Sequence, residues 1–358
     1  MSTTLQQDEV AKHKQENVML SRVAGSLYWM SRYLERAENM ARLLDVNLQL
    51  LLDFGQVADE DMKEHWVPIL KSAGDDEQFF ELYDTANSAN VTEFMTFRSE
   101  NTSSIFSCVA NARENARQVR DQISSEMWEV LNEAYLFIKG SDAQKVWASG
   151  NGASEFYDQI KRYSHLFQGI TVSTFSRAEG FEFLQFGKYL ERVDKTTRLL
   201  DIKYHLLLPK VTDVGGAVDT AQWQAVLKST SAMEAYRRFY VADILPWKVA
   251  EFLIFEDSFP RSIIFGVQQL DEFLHLIGES PKGEYRTVGE RRLGKLLNRL
   301  SFTTVDEVFQ QGLHQFLKEC QEEISAIGEW VYETYMYYAP VDMEAEIRFH
   351  QQQEQQQQ

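Results

Sequence analysis

The sequence is poor in cysteine, proline and long apolar runs, and each shortage argues against a class of protein. Its 358 residues hold two cysteines, which are far apart and lack the paired spacing of a zinc site or a disulfide framework. Six prolines, well below the usual ~5%, favour helices over a turn-rich β fold. No run of about 18 apolar residues occurs, and the polar first 17 residues contain no signal-peptide core. We therefore expect a cytoplasmic protein without a membrane span.

Basic residues and catalytic motifs are also scarce. Lys and Arg number 36 against 54 Asp and Glu, and the net charge of −18 argues against nucleic-acid and anionic-membrane partners. The sequence contains no dinucleotide- or phosphate-binding glycine loop, no nucleophile elbow and no zinc-protease motif. It therefore predicts no metal and no cofactor. Hydrophobic residues still make up 44% of the chain, which is enough for a sizeable folded core.

The chain contains an internal repeat. The 20 residues YLERAENMARLLDVNLQLLL, from Tyr33, align without gaps on YLERVDKTTRLLDIKYHLLL, from Tyr189, with 11 identities where chance gives roughly one. Further on, EFMTFRSENTSSIFSCV, from Glu93, aligns on EFLIFEDSFPRSIIFGV, from Glu251, and the offset changes only from 156 to 158 residues. The pattern indicates a tandem duplication.

Both copies are predicted to be helical, because their apolar residues recur at three- and four-residue spacing. Two similar halves with apolar seams pack most simply against each other, so we expect an all-α helical bundle whose pseudo-twofold-related halves form one domain. The predicted units are a polar disordered tail (1–17), a helical domain (18–345) with a first repeat (about 20–140), a second repeat (about 175–280) and C-terminal helices (285–340), and a Gln-rich disordered tail (346–358).

The apolar periodicity also predicts helix limits. Long helices are expected over about 18–53 and 181–208. Shorter helices are expected around Trp66 and Phe80, followed by one long helix over about 102–138. Convincing strand patterns are lacking, which again favours an all-helical fold.

Charged residues recur along the two repeated helices in the same order. Their spacing of i, i+3, i+7 and i+10 places them on one helix face beside the apolar seam. The ladder consists of Glu35, Glu38, Arg42 and Asp45 in the first copy and Glu191, Asp194, Arg198 and Asp201 in the second, with Arg36 and Arg192 one position further round.

Two interpretations of this ladder are open. In the structural one, the charges form ion pairs that set the register between long helices. In the functional one, the two copies bring their Glu-Arg pairs into one cleft, where the arginines bind a carboxylate or phosphate and Glu35 or Glu191 acts as a general base.

Two further features suit anion binding. Arg113, Arg117 and Arg120 form a basic stripe at i, i+4 and i+7, while the second copy has an aspartate, a histidine and a glycine there. Such asymmetry favours a role beyond architecture, although pairing with nearby carboxylates also explains the stripe. Arg261 lies between Pro260 and a serine, at a predicted helix start that suits either an anion or a plain helix beginning.

The segments MLSRVAGSLYWMSRYLERAENMARLLD, RENARQVRDQISSEMWEVLN and PRSI together resemble the bacterial alpha-E domain family. The resemblance extends over about 18–338 and implies an all-helical fold. The Glu-Arg motif of that family falls on Glu35 and Arg36, and the repeat places the same pair at Glu191 and Arg192.

The resemblance also implies a functional setting. Members of the family are encoded beside, or fused to, circularly permuted ATP-grasp proteins and transglutaminase-like proteins, which implies a system that makes or remodels peptide or amide bonds. The chain would then be a non-catalytic helical partner that holds a peptide or carboxylate substrate, with ATP used only by the partner ligase. The alternatives are a stand-alone enzyme of amide-bond chemistry and a purely structural interaction protein.

Overall fold

The computed structural model describes residues 2–53, 63–140, 147, 152–205, 216–241 and 243–337, and its side chains are described from residue 21 onward except at 53, 63–65, 203–205 and 217. Within these residues the chain forms fifteen α-helices and no strand. The helices are α1 (Ser2–Asp53), α2 (Lys63–Ala73), α3 (Asp76–Leu82), α4 (Ser88–Thr96), α5 (Ile105–Gln118), α6 (Ser125–Lys139), α7 (Gly152–Thr174), α8 (Glu179–His205), α9 (Ala217–Ser229), α10 (Met233–Tyr240), α11 (Pro246–Phe255), α12 (Ile263–Ile277), α13 (Val288–Phe302), α14 (Val305–Gln311) and α15 (Leu313–Val331), followed by a π-helical turn (Tyr332–Met336).

The predicted all-helical fold is confirmed. The two long helices correspond to α8 and to α1, which begins at Ser2 rather than near residue 18. The short helices expected around Trp66 and Phe80 are α2 and α3. The C-terminal helical pattern corresponds to α13, α14 and α15. The limits of the predicted domain and of its polar tail at 1–17 stay predictions, and the Gln-rich tail at 346–358 lies outside the described residues.

The prediction of one helix over 102–138 is wrong, because the chain forms α5 and α6 with a turn between them. Ser124 begins α6 by accepting a hydrogen bond from the backbone N–H of Met127. Val119 and Ile123 are buried in the turn. Their apolar side chains continue the helical spacing, so the sequence pattern hides the break.

Helices α1 and α8 form the centre of the fold and make the most extensive contact between two helices in the described part of the chain. One large apolar core packs α8 against α9 to α15, and a second packs α1 against α2 to α7. Each central helix also reaches the other core: Tyr28 of α1 lies in the first and Leu199 of α8 in the second. The charged ladders therefore lie between two cores. In the described residues, no helix is both long and apolar enough to cross a membrane.

Candidate functional site: a cationic cleft beside a buried glutamate–arginine network

A glycine lets the two central helices approach closely. A Cβ atom at Gly187 of α8 would lie 2.5 Å from the backbone carbonyl oxygen of Tyr28 in α1. No side chain fits in that space, so the backbones meet directly at this crossing. One helical turn further along α8, Glu191 reaches the side chains of α1.

The two Glu-Arg pairs exchange partners across this crossing. Arg36 donates from Nε and Nη2 to the two carboxylate oxygens of Glu191, at 2.6 and 3.0 Å. Arg192 donates in the same way to Glu35, at 2.8 and 2.9 Å. Both contacts are bidentate, the strongest geometry for an arginine and a carboxylate. The glutamate of each pair is thus neutralised by the arginine of the other.

Additional arginines complete the network. Arg32 donates from Nε to Glu191 at 2.9 Å. Arg261 donates to Glu35 at 2.9 Å and to Glu38 at 3.1 Å. Arg42 also binds Glu38 in a bidentate manner. Each of the three glutamates therefore contacts two guanidinium groups.

The network is buried and fully ionised. Glu35, Glu38 and Glu191 are at most 1% exposed. Burial alone would raise the pKa of each carboxyl group, but the neighbouring guanidinium groups outweigh it and hold all three pKa values below the ordinary range. Burial, followed by the charge of Arg42, lowers the pKa of Arg261 to about 10.

The three carboxyl groups tie stability to pH. Their pKa values are lower in the folded protein than in the unfolded chain, so their stabilising contribution is complete above about pH 4.3 and is lost as the pH falls further. We expect the free energy of unfolding, measured with urea, to decrease between about pH 5 and pH 3. The difference in the free energy of unfolding between the wild type and Glu191→Gln should become smaller over the same pH interval. A difference that stays constant would contradict this linkage.

A cleft of about 410 Å³ opens beside the Glu191 end of the network, within the size range of small-molecule sites. Its walls include the aromatic residues Tyr28, Trp29 and Tyr332 and the hydroxyl groups of Ser103 and Ser325. Among the residues that the structure describes, two acidic side chains line it, those of Asp194 and Glu329, against four cationic ones. The cationic residues are Arg32, Arg36, Lys195 and Arg198.

Much of the hydrogen-bonding capacity of these cations is unused. Arg198 donates to Asp194 from Nε alone. In the part of the chain that the structure describes, its two Nη atoms make no hydrogen bond, nor does Nη2 of Arg32 or Nη1 of Arg36. Lys195 Nζ lies 3.9 Å from Glu191 and 3.8 Å from Asp194, beyond hydrogen-bond distance of both. The cleft therefore offers donors and positive charge to an anion.

The arginine stripe lies elsewhere. Arg113 donates to Asn132 at 2.8 Å and packs over two aromatic rings of α6, and Arg117 forms an exposed bidentate pair with Glu114. Arg120 lies beyond the end of α5, over the Trp128 ring. None of the three lines the cationic cleft.

Sequence reasoning missed Arg32 and Lys195 as site residues. Arg32 is one helical turn before Arg36, and Lys195 one turn after Glu191, so the i, i+4 spacing was a usable signal. The sequence also gave no sign that Lys188 is buried. Burial, and then the charge of Arg192, lowers the pKa of its ammonium group to about 7.

The fold and the site define an all-helical protein organised around a buried glutamate–arginine network. The chain belongs to the Alpha-E family, described as a predicted alpha-helical domain with a conserved ER motif, which matches residues 19–336. This chain has the Glu-Arg sequence at Glu35–Arg36 and at Glu191–Arg192, the pairs that exchange partners between α1 and α8.

The chain is similar to uncharacterised proteins of Mycobacterium bovis and of two Mycobacterium tuberculosis strains. Each is 27% identical over 322 residues, and the match covers 85% of this chain and 35% of the relative. The chain thus spans about a third of the length of these curated relatives. No solved structure matches it.

Proposed function

We propose that this protein is the substrate-holding, non-catalytic helical component of a system that forms peptide or amide bonds with an ATP-grasp ligase. The cleft beside Glu191 supports this proposal most, because it concentrates four cationic side chains on a chain of net charge −18. Such a cleft suits an anionic substrate, such as a peptide carboxylate or its activated form. The resemblance to the family supports a circularly permuted ATP-grasp protein and a transglutaminase-like protein as partners, with ATP used by the ligase alone.

The proposal assigns two tasks to these residues, and Arg36 takes part in both. The exchanged pairs hold α1 against α8, and Arg36 and Arg198 join Arg32 and Lys195 in holding the ligand. The remaining arginines bind the buried carboxylates of Glu35 and Glu38: these are Arg42, Arg192 and Arg261.

We also propose that the fold arose by tandem duplication, with the two halves related by a pseudo-twofold axis. The reciprocal contacts of Arg36 with Glu191 and of Arg192 with Glu35 support this history, because such an axis would exchange one contact with the other. A later sequence change in one copy alone would then make the two ends of the network different.

The second candidate function is a stand-alone enzyme of amide-bond chemistry with Glu35 or Glu191 as its general base. A general base that works near neutral pH needs a raised pKa and access to substrate. Both glutamates have lowered pKa values and are covered by arginines. These features favour the non-catalytic role. A purely structural role accounts for the buried pairs but leaves the cationic cleft without a purpose.

The test is reconstitution of the chain with the circularly permuted ATP-grasp protein from the same cells. We expect a stoichiometric complex on size-exclusion chromatography, no ATP turnover by the chain alone, and faster substrate-dependent ATP turnover by the ligase when the chain is present. Arg198→Gln should abolish this stimulation, because it removes donors from the cleft.

Arg117→Gln is the matched control for that variant, since Arg117 also pairs with a carboxylate on its own helix but is exposed. It should stimulate as the wild type does. Amide-bond chemistry by the isolated chain would favour the enzyme instead, and failure to form any complex would refute the partnership.

A further inference from the structure

Helices α5 and α12 begin in the same way. Ser104 caps α5 by accepting a hydrogen bond from the backbone N–H of Ser107 at 3.1 Å, and Ser262 caps α12 by accepting one from Phe265 at 3.2 Å. The residue immediately before each cap therefore has an equivalent place in the two helix starts. That residue is Ser103 in α5 and Arg261 in α12.

The two residues have opposite effects on the space beside the network. The Arg261 guanidinium extends to Glu35 and Glu38 and is only 12% exposed. Ser103 has no side chain of such length, and it lines the cleft on the Glu191 side. An arginine of the chain itself thus fills the space at one end of the network, while a serine leaves space at the other.

The Glu191 end has no counterpart of Arg261, and Lys195 supplies a positive charge there instead. With the offset of 156 residues, Lys195 aligns with Asn39, which carries no charge. Lys195 Nζ lies within 3.9 Å of Glu191 and 3.8 Å of Asp194, the carboxylates that align with the two partners of Arg261. The Glu191 end of the network therefore keeps a positive charge and has more free space than the end filled by Arg261. It suits a bound anion rather than a bound cation.

We propose that the cleft is a phosphoryl-binding site, held open by Ser103 and lined by the free donors of Arg32, Arg36, Lys195 and Arg198. This proposal rests on the proposed function, which places the substrate in the same cleft, and it specifies the chemical group bound there. An acyl phosphate, the activated carboxylate of an ATP-grasp reaction, carries such a group.

The donor set favours a phosphoryl group over a carboxylate. Four guanidinium N atoms and one ammonium group have unused donors, and they come from two different helices, α1 and α8. A carboxylate has two oxygens in one plane, whereas a phosphoryl group presents three around a tetrahedral centre. The aromatic walls formed by Trp29 and Tyr332 leave room for an apolar part of the ligand.

Isothermal titration calorimetry with inorganic phosphate, phenyl phosphate and benzoate tests the proposal directly. The last two probes share a ring and differ in the anionic group. We expect both phosphates to bind and benzoate to bind at least about tenfold more weakly than phenyl phosphate. Equal affinity for benzoate, or no binding of either phosphate at low salt, would overturn the assignment.

The variant Ser103→Arg introduces in the cleft the side chain found at the other end of the network. It should weaken phenyl phosphate binding at least about tenfold by filling the space, despite adding a positive charge. Ser99→Arg is the matched control, since it adds the same charge at an exposed position outside the cleft and should leave binding unchanged. Unchanged binding by a folded Ser103→Arg protein would refute the role of Ser103.

A second variant covers the case in which Ser103→Arg fails to fold. Lys195→Gln removes an ammonium group that makes only long ionic contacts, so the fold should persist while phosphate affinity falls about fivefold or more. Retained affinity in a folded Lys195→Gln protein would contradict the proposed donor set.

Recovery of the ATP-grasp partner without phosphate binding would refute this inference alone, and phosphate binding without a partner would refute the proposed function alone.

Discussion

Glu191→Gln is expected to lower the free energy of unfolding by about 3–5 kcal/mol, the typical cost of removing one member of a buried ion pair. Glu191 accepts hydrogen bonds from Arg36 and Arg32, whose side chains are only 16% and 18% exposed. A neutral amide leaves two confined guanidinium charges without an anion. Urea denaturation at pH 7 measures the change.

Glu114→Gln is the appropriate control for Glu191→Gln. It also removes the carboxylate of a bidentate arginine pair, but that pair is exposed. Solvent screens such a pair, so we expect no resolvable change in the unfolding midpoint. A Glu191→Gln protein that loses less than about 1 kcal/mol would show that the network contributes no more than surface ion pairs.

Gly187→Ala is expected to destabilise the protein by about 1–3 kcal/mol, as for other overpacked sites. The new Cβ would lie 2.5 Å from the carbonyl oxygen of Tyr28 and 3.1 Å from its ring. Since a backbone atom cannot rotate away, α1 and α8 must separate. The bidentate contacts one turn further along α8 would then lengthen. Urea denaturation again provides the measurement.

Gly169→Ala separates this steric effect from helix propensity. Gly169 also lies within a helix, α7, but a Cβ there would meet no atom within 4 Å. Alanine should stabilise that site by about 0.5–1 kcal/mol. If Gly187→Ala were equally stabilising, the close approach of α1 and α8 would not limit the packing.

Local patterns predicted the helices well where apolar spacing and capping agree. The long central helices follow from their repeated seams, which depend only on spacing along the chain. The turn between α5 and α6 escaped prediction because Val119 and Ile123 are apolar and fit the helical spacing while lying in the turn.

The charged residues of the candidate site were identifiable from the sequence, but their partners were not. Arg36 and Glu191 are 155 residues apart, and their contact depends on the close approach at Gly187. The position of Arg261 against Glu35 likewise depends on where α12 begins. Residue type and spacing thus indicated the chemistry, whereas the packing of α1 on α8 determines which charges meet.

The exchanged pairs have a consequence for synthesis of the chain. Glu35 leaves the ribosome 157 residues before Arg192, its partner across the crossing. At ordinary translation rates that interval lasts roughly 10–30 s, during which α1 lacks a major counter-ion of the finished fold. We expect Glu35 to stay hydrated in the nascent chain until α8 emerges. Assembly of the buried network is therefore a late step of folding, because it can begin only after the second central helix, α8, has been made.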